Sequence, residues 1–295
     1  MKKEQLESIE RKELFYNGES AAIFRLTDGR LLKIAKPVVF ESCFAVGVNY
    51  EEKISKTNAR SIKEIVNPIS IVYNNRQCVG YTMEEITGAT FNEFDQAYTK
   101  SQLSDLNMYT ELYKKIESVV KKANQAGIVM PDLCTCDNII IQPNNEIKFI
   151  DFDGMQFGSK DKSINMSTSL GNPLYYINNP KYCSNEFHFS QELDKTSLTI
   201  LMFLAIFRID LKKIGEIDYR TKEKVTLKDV FQMLGIEDYE FMNKVATNLS
   251  PTKKGVYLGR DLERIAKNYE MIAYEIPFCF QTENTGQYLM KLHKI

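Results

Sequence analysis

Four polar residues from three regions of the chain have side chains suited to handling a charged substrate. Lys33 sits in the apolar run Leu31-Leu32-Lys33-Ile34, and an ammonium fixed on a strand can neutralise an anion. Asp132 and Asn138 bracket a loop. Asp151 closes an apolar run in Phe149-Ile150-Asp151-Phe152-Asp153-Gly154. Mg²⁺ takes oxygen ligands, usually one or two protein carboxylates completed by phosphates and water. A carboxylate in a loop can also accept the proton of a substrate hydroxyl. Singly, each has an ordinary reading: a strand lysine facing solvent, and an Asp and an Asn that make turns or caps. Asp153 reads either as a second metal oxygen or as a solvated turn residue, the latter being the expectation.

The pattern around them supplies elements to hold them. Glu13 to Tyr16 reads as a strand, Asn17 to Ser20 as a turn, and Ala21 to Leu26 as a second strand. Thr27-Asp28-Gly29-Arg30 carries the Asp-Gly hairpin signal, so Leu31 to Ile34 becomes the third strand. A helix is expected from Asn49 to Ile65, stopped by Asn67-Pro68, because the residue before proline resists the helical region. Ile69 to Tyr73 and Gln77 to Met83 read as a hairpin around Asn74-Asn75, and Glu84 to Gly88 as a connector. Ser101 to Ala126 repeats apolar residues at helical spacing, with Gly127 as its cap. Two β runs follow, Asn138 to Ile141 and Ile147 to Ile150, around Pro143-Asn144-Asn145. Leu198 to Ile209 is apolar nearly all round and reads as a buried helix.

This order of landmarks resembles the protein-kinase superfamily, whose signatures are a strand lysine, a catalytic loop with an aspartate and an asparagine, and a metal-binding aspartate in a D-F-G segment. The resemblance runs from Phe15 to Ile206, most of the chain. It implies an α+β, two-lobed protein-kinase-like fold: a small antiparallel-sheet lobe with one helix over residues 1–86, and a larger, mainly helical lobe over 87–295. It implies that Lys33 holds the ATP phosphates and is itself held by a helix glutamate. Glu51 is preferred to Glu52, since Ile54 then packs inward one turn on. By the same resemblance Asp132 is the base, Asn138 and Asp151 ligate Mg²⁺, and Gly18 belongs to the phosphate-covering loop. Met83 would be the gatekeeper, with the backbone of Glu84 and Ile86 bonding adenine. Gly171-Asn172-Pro173-Leu174-Tyr175-Tyr176 resembles the end of an activation segment. Asp194, in Asp194-Lys195-Thr196-Ser197-Leu198, would anchor the backbone of the catalytic loop.

Several positions depart from the family. The phosphate-covering segment Asn17 to Ala22 has one glycine where the family usually has three. Met130-Pro131-Asp132 replaces H-R-D. Five residues separate Asp132 from Asn138 where the family has four, and Cys134 stands where protein kinases carry lysine. Asp153 displaces the D-F-G glycine to Gly154, and the A-P-E glutamate is unrecognisable near Asn179-Pro180-Lys181. None of these changes removes the lysine, the base or the metal ligands. The expectation is an ATP- and Mg²⁺-dependent phosphotransferase acting on a Ser/Thr hydroxyl of a protein substrate, with Ser167, Thr168 and Ser169 as autophosphorylation candidates. A small-molecule kinase, motivated by the missing lysine, and a nucleotide-binding pseudokinase scaffold, motivated by the altered loop, are the alternatives.

Composition sets outer bounds. The 295 residues carry a net charge of −1, which implies no bulk attraction to nucleic acid or an anionic membrane. The six cysteines show no paired C-x-x-C spacing and read as reduced thiols. Met1-Lys2-Lys3-Glu4-Gln5 lacks the apolar stretch of a secretory signal, and Leu198 to Ile209 falls well short of the roughly 20 residues that span a bilayer. A cytoplasmic location without membrane association is expected.

Overall fold

The computed structural model describes residues 1–56, 62–95, 106–133, 136–158, 183–185, 188–207, 209, 211, 226–250 and 252–268. The fold is mixed α/β. Strands β1 (Lys2–Gln5), β2 (Arg11–Asn17), β3 (Ala21–Leu26), β4 (Arg30–Ala35), β5 (Ser70–Asn74) and β6 (Gln77–Glu84) form one sheet in the order β1-β5-β6-β4-β3-β2. The Asp28-Gly29 turn works as its sequence suggests: Gly29 takes φ +83°, open to glycine at no steric cost. Lys33 lies mid-sheet, opposite Ile23 on β3 and Tyr81 on β6. Gly80 passes so close to the Lys33 carbonyl that any Cβ there would collide with it.

Strand β1 carries no sequence signal, being entirely polar, yet it pairs in parallel with β5. Its Glu4 is held by Arg30 at 2.9 Å. Helix α1 (Pro37–Val46) falls in a stretch outside every element expected from the sequence. Its signals were present: proline in the first turn, where a missing N–H costs nothing, and Gly47 at φ +68° as the left-handed stop. Helix α2 (Tyr50–Ile54) is capped by the Asn49 side chain, which accepts the Glu52 N–H at 3.0 Å.

The expected helix from Asn49 to Ile65 does not reach its far end. Ile65 instead bridges Phe149; the Phe149 N–H donates to the Glu64 carbonyl at 2.7 Å, and the Val66 N–H to the Phe149 carbonyl at 2.9 Å. Phe149 belongs to β10 (Ile147–Phe149), which pairs with β9 (Ile139–Ile141), itself flanked by β7 (Ala89–Thr90). The open edge of β10 carries buried backbone groups that need partners, and residues 64–66 supply them.

Helix α3 (Leu106–Gln125) buries the face its periodicity specified, including Tyr109, Leu112, Ile116, Val120 and Ala123, and Gly127 follows at φ +75°. After β8 (Ile128–Val129), β11 (Gln156–Phe157), β12 (Cys183–Asn185) and β13 (His188–Phe189), helix α4 (Gln191–Met202) starts at a Ser190 cap and continues into a π-helical turn, Phe203–Phe207. The apolar run there is buried, as its all-round hydrophobicity required. Helices α5 (Leu227–Met233), α6 (Tyr239–Leu249) and α7 (Gly259–Asn268) complete the described chain. The buried Glu117 of α3 accepts the Leu258 and Gly259 N–H groups at 2.8 Å each, capping α7 across the packing interface. One apolar core runs from Leu31 and Tyr81 in the sheet to Ile116, Leu198 and Leu262 in the helices. Cys43 and Cys78 are buried and Cys136 is half-buried. Among the described residues no helix is long and apolar enough to cross a membrane.

Candidate functional site

Lys33 is only 5% exposed, so its ammonium needs a counter-charge inside the protein. Two carboxylates meet it, Asp151 through Oδ1 and Asp153 through Oδ1, the latter at 2.6 Å. Asp153 also accepts the Tyr81 hydroxyl at 2.9 Å and the Tyr50 hydroxyl at 3.0 Å. Burial alone would drive the Lys33 pKa down, but the charges of Asp151 and Asp153 outweigh it and hold the lysine protonated. Burial likewise opposes ionisation of Asp153, and the Lys33 charge with the hydrogen bonds from Lys33, Tyr81 and Tyr50 reverses that, leaving its pKa below the ordinary value. The tyrosines are pushed well above theirs, by burial first and by the Asp153 charge second, and remain donors.

The backbone explains why two aspartates so close in sequence reach one ammonium. Asp151 adopts φ +63°, a left-handed conformation uncommon for a residue with a Cβ, and precedes a 3₁₀ turn over Phe152–Gly154. Phe152 is buried and packs against Phe157 at 4.6 Å, which pins the turn. The Asp151 side chain stays 26% exposed, whereas that of Asp153 is 4% exposed. The sequence-based expectation that Asp153 is a solvated turn residue is therefore corrected: it is a buried counter-ion.

A cavity of about 20 Å³ brings Asp132, Asn138 and Asp151 together. The Asn138 amide donates to Asp132 Oδ2 at 3.2 Å and to the Asp132 carbonyl at 3.4 Å, which leaves the Asn138 side-chain oxygen as an acceptor. The Ile150 N–H donates to the Asn138 carbonyl at 3.0 Å, tying this loop to the strand that ends at Asp151. The donor set fits Mg²⁺ on chemical grounds, since a carboxylate and an amide oxygen are hard ligands that leave the remaining positions to phosphate and water. Among the described residues no group of three or more His, Cys, Asp or Glu side chains forms a protein-only metal cage.

Asp194 lies at the base of the loop. It is fully buried, accepts the Met130 N–H at 3.0 Å and the Asn124 amide at 2.6 Å, and so anchors the segment leading into Asp132, as expected. Burial pushes its pKa up to about 7, against the two hydrogen bonds that lower it. Replacing Asp194 with Ala strands two buried donors and should cost about 3 kcal/mol of stability, measurable by denaturant titration. The pH dependence has a definite sign. A folded pKa raised above the unfolded one means that the folded state holds the extra proton. Stability from this group is full below the unfolded carboxyl range and is lost as pH rises through about 7. Wild type should thus lose ground to Asp194→Asn, which cannot titrate, as melting is followed from about pH 5 to about pH 8.

Two other assignments change. Glu51 does not hold Lys33. It bonds the Lys3 ammonium at 3.1 Å and accepts the Tyr73 hydroxyl, facing outward beneath β1. Successive helical residues turn by about 100°, so with Tyr50 facing inward to Asp153, Glu51 must face away. Gly18 does not offer its amide to phosphate. Its N–H donates to the Ala21 carbonyl at 3.0 Å within the turn, and its carbonyl accepts Lys36 Nζ. Met83 is buried opposite Leu31, Glu84 ends β6 exposed opposite Arg30, and Ile86 is half-buried against the core. Cys134, Ser167, Thr168, Ser169, the Gly171 to Tyr176 segment and Asn179-Pro180-Lys181 lie outside the described residues. The role of Asp153 had one sequence signal, the extra carboxylate inside the D-F-G pattern. Tyr50, Tyr81 and the fully buried Lys53, whose Nζ donates to the Met155 carbonyl at 2.6 Å, had none.

No protein-family model and no curated protein matches the chain.

Proposed function

We propose that this chain is a two-lobed, protein-kinase-like phosphotransferase that uses ATP and Mg²⁺, with a Ser/Thr hydroxyl of a protein as acceptor. One observation carries the reading: Lys33, Asp132, Asn138 and Asp151, which come from three separate stretches of sequence, converge where the sheet meets the loop that follows β8. Lys33 pairs with the phosphates. Asp151 and Asn138 would supply metal oxygens, and a cation held there would neutralise charge on the phosphates. Asp132 orients the acceptor hydroxyl and takes its proton as the oxygen bonds to the γ-phosphorus and ADP departs. Asp194 keeps the loop backbone in place for that step. The acceptor class rests on the activation-segment pattern of the sequence.

The test is transfer of label from γ-labelled ATP, by the protein alone and with a generic protein substrate. Asp151→Asn should lower Mg²⁺-dependent turnover by about 100-fold or more, since metal stabilisation of phosphoryl charge is worth several kcal/mol. Wild-type turnover in that variant would remove the metal assignment. A nucleotide-binding scaffold is the second reading, favoured by the Asp151 carboxylate being paired with Lys33. It expects a melting shift with Mg·ATP and no transfer under any condition.

A further inference from the structure

The two carboxylates on Lys33 are not equivalent. Asp151 is partly exposed and lines the cavity with Asp132 and Asn138. Asp153 is enclosed, and its two oxygens receive three donors, from Lys33, Tyr81 and Tyr50. Turning it toward a cation would strip two buried phenols of their acceptor and leave the ammonium with Asp151 alone, which is costly. The Lys33 ammonium also lies 5.8 Å from the centre of the Tyr81 ring, a further attraction at the same place. Asp151 is thus the carboxylate free to leave Lys33, and Asp153 the one that stays.

We propose that Asp153 is the positioning residue of this site: it performs the task expected of Glu51 by fixing Lys33 to face the nucleotide phosphates, and Tyr50 links that hold to helix α2. The inference rests on the nucleotide-binding reading above. Helix α2 is bound to the same segment at a second point, through Lys53 and the Met155 carbonyl, while Tyr50 packs edge-on against Phe40 of α1 at 5.4 Å. A shift of α2 therefore reaches Lys33 through two hydrogen bonds, Tyr50 to Asp153 and Lys33 to Asp153.

Calorimetric binding of Mg·ATP and of adenosine separates positioning from general structural support, because only Mg·ATP carries phosphates for Lys33 to meet. Asp153→Asn keeps the volume and an acceptor oxygen but removes the charge. It should weaken Mg·ATP binding at least about tenfold, the scale of a hydrogen bond to a charged group, and leave adenosine binding unchanged. Tyr50→Phe leaves both charges in place and should weaken Mg·ATP several-fold, again without touching adenosine; it carries the test if Asp153→Asn does not fold. Unchanged Mg·ATP affinity in these variants, or adenosine and Mg·ATP affinity falling together, overturns the proposal while leaving the proposed function standing. Wild-type protein that binds no Mg·ATP overturns both.

Discussion

Lys33→Met should abolish phosphoryl transfer and, as a separate effect, weaken the fold. Loss of transfer follows from removing the ammonium that meets Asp151 and Asp153, and should exceed about 100-fold. The stability loss follows from burial. The lysine neutralises Asp151 and Asp153 together, and without it a fully enclosed carboxylate faces a second one with no cation between them. Breaking a buried ion pair by deleting one partner costs about 3–5 kcal/mol. For a chain of this size that is about 10 °C in melting temperature. Read as a strand residue facing solvent, Lys33 would be removable at no structural cost, so thermal melting distinguishes the two situations before any assay of activity. A variant melting with wild type would contradict the buried clamp.

Asp132→Asn should behave in the opposite way, losing chemistry and keeping the fold. The Asp132 carboxylate accepts the Asn138 amide at 3.2 Å, and an asparagine oxygen can accept the same bond. Melting should stay close to wild type. General-base catalysis contributes about 10²–10⁴-fold, so labelled transfer should fall by that factor while Mg·ATP binding persists. Undiminished transfer in this variant would assign the proton to another group. Together the variants separate a residue whose loss should cost both fold and transfer from one whose loss should cost transfer first.

The physical reason for that split is local dielectric. Asp132 and Asp151 border a cavity open enough to admit water, whereas Lys33 and Asp153 are sealed beneath Tyr50 and Tyr81. Charges in the first setting are screened and exchangeable; in the second they are strongly coupled and hold their partners.

Much of the frame is legible in the residues themselves. The Asp28-Gly29 hairpin, the strands around Asn74-Asn75 and the long amphipathic α3 follow from short-range rules: turn chemistry, periodicity and the order of apolar runs. The anchoring role of Asp194 comes from the family resemblance, since its partners Asn124 and Met130 are far from it in the chain. The short-range rules act within a few residues, so they fix what each segment is. They do not fix which segment meets which. Strand β1 has no apolar alternation and exists because the edge of β5 offers it backbone partners. The helix expected to run to Ile65 stops short because β10 draws residues 64–66 into bonds with Phe149. Once β1 is in place its Lys3 engages Glu51, and the inward turn of Tyr50 leaves Asp153 as the enclosed carboxylate on Lys33. The sequence alone determined that a lysine, a loop aspartate, an asparagine and a strand-ending aspartate were available in a telling order. Only the tertiary structure decided which carboxylate neutralises the lysine, because that choice depends on helix rotation and on pairing between segments distant in the chain, neither of which leaves a local trace.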